Sequence, residues 1–251
     1  MKTMKFKTFI FLMSLLFLNS NLNAQTTVKL ESDFDKIIVS PHIEVIFKKG
    51  SEPTIEILDI NVPVKKFKYE LNRGVLQIYL EGAKTYTKSK KIVIRNAERK
   101  VPLYKGRVAR VIITYSDVKI FSLRGEEKIS FQTPLVQREC TLRIYGKSEV
   151  TINTLEVNRL DVSIYGDSLL NMQKGSIQKQ KITAYGASKV MASDVISEET
   201  KLTVYGDGIF KFNVSKRIKV SSYGEATVIY KGDAVLKKGI VIGELTIRKV
   251  L

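Results

Sequence analysis

The sequence predicts an all-β fold. It reads as a right-handed single-stranded parallel β-helix of about seven rungs, each of ~20 residues, with a β cap at its N-terminal side. The first observation is a recurring phrase: Leu142-Arg-Ile-Tyr-Gly146, Val162-Ser-Ile-Tyr-Gly166, Ile182-Thr-Ala-Tyr-Gly186, Leu202-Thr-Val-Tyr-Gly206 and Val220-Ser-Ser-Tyr-Gly224. From Gly146 to Gly206 the glycines recur in equal steps, and the step to Gly224 is two positions shorter. Weaker copies continue the series at nearly the same spacing, upstream at Phe121-Ser-Leu-Arg-Gly125 and downstream at Val241-Ile-Gly243. A period in the range of about 20–50 residues marks a solenoid or array. The second observation is alternation within each copy. Four residues before the glycine stand Phe121, Leu142, Val162, Ile182, Leu202 and Val220, and four after it stand Ile129, Val150, Leu170, Val190, Phe210, Val228 and Ile247. Apolar residues also occupy most positions two before and six after, a period of two that belongs to strands and not to a helix. The third is a column of small residues two after the glycine, Ser148, Ser168, Ser188, Gly208 and Ala226. Their phase points inward, so the coil is narrow there and the serines can bond along the stack. The handedness follows from the crossover rule for parallel strands.

Each stretch has a place in that scheme. Met1–Ala24 combines Lys2, Lys5 and Lys7, an apolar run Phe9–Leu18 and a cleavage site before Gln25, which is the pattern of a secretory signal peptide. The run is shorter than the roughly 20 residues a bilayer span needs. Removing this leader, with three lysines and no acid, lowers the formal charge from +17 to +14. The remainder, 25–251, reads as one elongated domain. Residues 28–82 are β throughout, with a hairpin turn at Asn72-Arg73-Gly74, and form the expected N-terminal cap. Residues 83–110 are a basic insert or hairpin, rich in lysine and arginine against the single acid Glu98. The repeats fill 111–251, and Arg248 and Lys249 place charge at the far end, where it opposes end-to-end pairing.

Two groups of residues stand out as candidate binding residues. The residue before each glycine is Tyr145, Tyr165, Tyr185, Tyr205 or Tyr223, and its phase is outward. Such a ladder serves either as a glycan-binding strip or as a stack of like residues that stabilises the solenoid through cross-strand contact. The other group is Lys88, Lys90, Lys91, Arg99 and Lys100 in the basic insert, suited either to a polyanion or to a solvated sheet edge that resists pairing. The leader argues against intracellular nucleic acid as the partner, so an acidic polysaccharide or another envelope component is the expected one.

Chemistry has little foothold. One histidine, His42, and one cysteine, Cys140, are too few for a zinc site, and Cys140 is in phase with inward Leu142 and Ile144. No glycine-rich phosphate loop is present. Neither a metal nor a cofactor is expected. A polysaccharide-cleaving enzyme is the best catalytic alternative, with Asp207 and Glu225 on adjacent rungs able to share a cation.

Phe34-Asp-Lys-Ile-Ile-Val-Ser40, Val45-Ile-Phe47 and Gly74-Val-Leu-Gln-Ile78, followed by glycine-centred repeats, resemble the putative auto-transporter adhesin, head GIN domain family. The resemblance spans Phe34 to Gly243. It departs from the family's usual Ser-Gly-Ser-Gly repeat, because tyrosine replaces the first serine. The resemblance implies an exported, non-catalytic β-helical protein of a Gram-negative bacterium, periplasmic or at the cell surface, with an adhesin-like role. The alternative is a structural or protein-interaction module of the cell envelope. Oligomeric state and the ligand's identity stay open at this point.

Overall fold

The structure, a computed structural model, describes residues 26–94 and 97–250. The expected leader, with its cleavage point before Gln25, lies outside them. The first half of the chain contains β1 (Thr26–Lys29), β2 (Lys36–Val39), β3 (Ile43–Lys49), β4 (Thr54–Ile60), β5 (Phe67–Asn72), β6 (Val75–Leu80), β7 (Ser89–Ile94), β8 (Ala97–Pro102) and β9 (Ala109–Tyr115). The repeats supply β10 (Ile120–Gly125), β11 (Lys128–Phe131), β12 (Leu135–Gly146), β13 (Glu149–Ile152), β14 (Leu155–Gly166), β15 (Leu169–Met172), β16 (Gly175–Tyr185), β17 (Ser188–Tyr205), β18 (Gly208–Lys231) and β19 (Val235–Lys249). Among the described residues, one 17-stranded sheet takes up every strand except β7 and β8, which pair only with each other. The result is a parallel β-solenoid of about six turns.

Each repeat turn has three short faces. In the turn that starts β12, Leu135–Gln137 pair with Leu155–Val157, Glu139–Gly146 with Arg159–Gly166, and Glu149–Ile152 with Leu169–Met172. Residues one repeat apart sit one above the other, so every column of the sequence repeat becomes a physical column. The apolar columns are buried as their alternation predicts. Leu142, Ile182, Leu202 and Val220 are fully enclosed, as are Val150, Leu170, Val190, Phe210 and Val228. The serine column is buried too, and each hydroxyl donates to a glycine carbonyl of the preceding turn: Ser148 to Gly125 at 2.9 Å, Ser168 to Gly146 at 3.1 Å and Ser188 to Gly166 at 3.0 Å. Cys140 is buried and unpaired, and burial pushes its thiol pKa up to about 12. It is a packing residue, unreactive as a nucleophile at neutral pH.

The glycines are required by geometry. Gly146, Gly166 and Gly224 have φ of 107°, 116° and 135°, a region that side chains avoid. A Cβ on Gly166 would also strike the carbonyl oxygen of Gly146 in the turn below. The shorter step before Gly224 is absorbed at one corner. Ala192 pairs with Phe212, yet Ile196 pairs with Asn213, so the three positions of β17 between them have no opposite number. Both strands regain register at Glu199–Arg217 and keep it through Tyr205–Tyr223.

The N-terminal region does more than cap the solenoid. β2 lies between β6 and β10, parallel to both, and β3 lies between β9 and β11, again parallel. The stretch read as a cap therefore builds turns of the solenoid itself. The end turn, formed by β6 and β9, comes from residues later in the chain than β2 and β3. The covering role falls to antiparallel additions, with β4 on β9, β1 on β4 and β5 on β6. The reason is local: Ile37, Val39, Ile43, Val45 and Phe47 alternate as the repeat columns do and are fully buried. What conceals the turn in sequence is its corner, where Pro41 lies under Gly125 and His42 takes the left-handed φ of 73°.

Candidate binding site

The five tyrosines project from successive turns, in register from Tyr145 to Tyr223. Their rings form a continuous parallel stack. Centroids are 5.0 Å apart for Tyr145–Tyr165 and 4.8 Å for Tyr165–Tyr185, Tyr185–Tyr205 and Tyr205–Tyr223, with interplanar angles of 6°, 3°, 6° and 8°. The column points outward as expected: Tyr165, Tyr185 and Tyr205 are exposed, and Tyr145 and Tyr223 half-buried. Stacking decides which part of each ring a ligand can reach. The faces of the three middle rings are covered by their neighbours. The outer face of Tyr145 carries the Arg124 guanidinium, 5.6 Å from the ring centroid, a cation–π contact. Ring edges and hydroxyls remain open, so the strip offers hydrogen bonds and not broad aromatic platforms.

The five basic residues lie at the base of and along the β7–β8 hairpin, and all are exposed. Lys91 pairs with Lys100 and Ile92 with Arg99 across the ladder. Paired residues share a face and neighbours alternate. Lys90 and Arg99 therefore occupy one face, and Lys91 and Lys100 the other. Lys91 is already engaged, 2.8 Å from Glu98. The hairpin gathers the cations on one element but divides them between its sides.

Strip and insert meet at a cavity of about 630 Å3 lined by Tyr86, Thr87, Arg124, Glu127, His42 and Tyr145, among others. His42 holds the root of the insert there. Its Nδ1 is 2.7 Å from the Gly106 carbonyl oxygen, and its Nε2 is 2.6 Å from the Thr87 hydroxyl. Nδ1 donates to the carbonyl, and the Thr87 hydroxyl can either donate to Nε2 or accept from it. The carboxylate of Glu127, itself buried, lies 3.7 Å from Nδ1 and accepts from the Glu126 amide at 2.9 Å. His42 thus acts in a structural network. Among the described residues no group of three or more His, Cys, Asp or Glu is arranged to hold a metal ion. Asp207 and Glu225 do face a common shallow hollow.

The sequence pattern did not single out this cavity, because His42, Tyr86 and Arg124 come from three separate stretches. It also passed over a groove of about 440 Å3 lined by Lys181, Lys201, Lys219 and Lys237, on the face that also carries the tyrosines. The signal for that groove was present, since three of those lysines stand five residues before a repeat glycine.

A family model for the putative auto-transporter adhesin, head GIN domain, matches residues 33–234. The chain belongs to that family. Solved structures share the head GIN fold. A putative adhesin of Bacteroides fragilis is 17% identical, with a TM-score of 0.73 over 91% of this chain and 98% of that one. A putative adhesin of Parabacteroides merdae is 20% identical, with a TM-score of 0.62 over 92% and 98% of the two chains. A putative lipid binding protein of Parabacteroides distasonis is 16% identical, with a TM-score of 0.64 over 92% and 98%. At these identities the likeness establishes the fold. A search of curated proteins found no match. No helix among the described residues is long and apolar enough to cross a membrane, a statement that leaves β-barrels aside.

Proposed function

We propose that this head GIN domain protein is an exported, non-catalytic, adhesin-like binder that holds an acidic glycan or comparable polyanion in the periplasm or at the cell surface. The observation that carries the proposal is convergence. The basic insert and the tyrosine strip, distant in sequence, meet at one cavity where Arg124, Tyr86 and Tyr145 are within reach of a ligand. The arginine supplies charge for an acid group, and the phenol hydroxyls and ring edges supply hydrogen bonds and contact for the sugar. A formal charge of +14 on the chain without its leader adds long-range attraction for anions. Family membership supports the adhesin-like role.

A glycan-array screen tests this, run at low and physiological salt. The wild type is compared with a variant carrying Lys88, Lys90, Lys91, Arg99 and Lys100 changed to Gln. Selective capture of acidic glycans, reduced in the variant and by salt, is the expected result. Silence of the folded wild type on the array would turn the assignment to the second reading, a structural or protein-interaction module. One observation favours that reading: the tyrosine faces are already spent on each other.

A further inference from the structure

Lys181, Lys201, Lys219 and Lys237 are consecutive Cα partners on four successive turns. Turns of this solenoid repeat every 4.8 Å where the tyrosine stack measures them. The chain therefore places four ammonium groups in a file along the solenoid axis. Like charges directly opposite one another destabilise a sheet. Nothing in the local fold requires lysine here, because the same column carries Ile120, Thr141 and Asp161 on the three preceding turns.

The surroundings do not neutralise the file. Among the described residues none of the four lysines lies within ion-pair distance of a carboxylate. The groove contains two acids, and both are taken by arginines: Asp161 by Arg159 at 3.0 Å and Glu199 by Arg217 at 3.0 Å. Those arginines occupy the next outward column, and the inward column between the two has Gln180 and Thr200 at the groove floor. The groove is thus straight, polar and cationic along one wall.

We propose that this groove seats a linear acidic polysaccharide, its chain running along the solenoid axis and its acid groups set against successive lysines. The inference rests on the polyanion reading above and assigns a different site for it. Uronate carboxylates and sulfate esters share the required chemistry, a negative charge that an ammonium meets as a point donor. Single-stranded nucleic acid fits less well, because proteins hold it by stacking bases on aromatic side chains and no aromatic residue lines the groove.

Fluorescence anisotropy at low salt provides the test, with labelled oligogalacturonate, a heparin fragment and oligothymidylate as probes. Wild type is compared with K201Q/K219Q, with K201R/K219R and with the five-Gln hairpin variant. The expected result is binding to one or both acidic glycans, weakened at least about fivefold in K201Q/K219Q. The double Arg variant should bind like wild type, and the hairpin variant should be weakened less than K201Q/K219Q. The two glycan arms tell carboxylate from sulfate. Removing stacked like charges should leave the melting temperature of K201Q/K219Q at or above that of wild type, so lost binding reads as a lost site and not lost fold. Binding that survives in K201Q/K219Q but fails in the hairpin variant would overturn the groove assignment and leave the broader proposal standing. Binding to oligothymidylate alone would overturn the polysaccharide class. No binding by the wild type to any probe would overturn both.

Discussion

Gly166 shows what the recurring phrase is for. Its φ of 116° and the carbonyl oxygen of Gly146 at the place of its missing Cβ make two separate demands. Gly106 makes only the first: its φ is 56°, and nothing lies within 4 Å of a Cβ built there. Gly166→Ala is therefore expected to lose about 2 kcal/mol or more of unfolding free energy, and Gly106→Ala about 1 kcal/mol, as read by urea titration followed by circular dichroism. Equal losses at the two sites would mean that the close approach of the turns contributes nothing. The glycine, serine and apolar columns, and the enclosure of Cys140, were legible in the sequence because each reduces to period and phase. His42 was not. Its turn could be read beside Pro41, but its bonds to Gly106 and Thr87 link residues 64 and 45 positions away, and no local pattern records them.

Among the elements, the tyrosine column is an interaction along the stack before it is a surface. Tyr185 contacts a ring on each side at 4.8 Å, whereas Tyr223 has one such neighbour, Tyr205, and faces Ile242 on the following turn. At about 0.5–1.5 kcal/mol for an aromatic pair, Tyr185→Ala should cost roughly 1–3 kcal/mol, and Tyr223→Ala about half as much. Tyr185→Phe should fall within about 0.5 kcal/mol of wild type, since the ring stack is kept. A Phe variant as damaged as the Ala variant would show that the hydroxyl, not the stack, does the stabilising. The sequence showed that the column exists and points outward. It did not show that the rings would lie flat on one another, because that depends on a rotamer shared by all five. The basic insert behaves in the opposite way. Among the described residues β7 and β8 pair only with each other, and the Leu103 amide bonds the Lys88 carbonyl at 2.8 Å across the neck of the hairpin. Replacing Ser89–Pro102 by Asn-Gly, a pair suited to a tight turn, should keep the β signal and shift the melting temperature by less than about 4 °C. A collapse of the fold on that replacement would show that the hairpin supports the solenoid.

For the molecule as a whole, periodicity made the long part of the fold readable and left its beginning obscure. The repeats declare themselves because equal steps in sequence become equal steps in space. β2 and β3 have no such step to their lower neighbours. Ile37 finds Leu76 on one side and Phe121 on the other, one reached after β3, β4 and β5 and the other after the insert. That order has a consequence for how the chain is delivered. A chain that emerges from its N-terminal side during synthesis presents β2 and β3 early, yet they belong to an interior layer. They must wait for β6 and β9 beneath them before either side of that layer is closed, and contacts so distant in sequence form slowly. The winding then reverses direction, and β10 onward is laid on the upper side in simple succession. The first turn to emerge is thus the seed of a structure that grows both ways, and a cut that removes it would take a layer out of the middle and not trim an end.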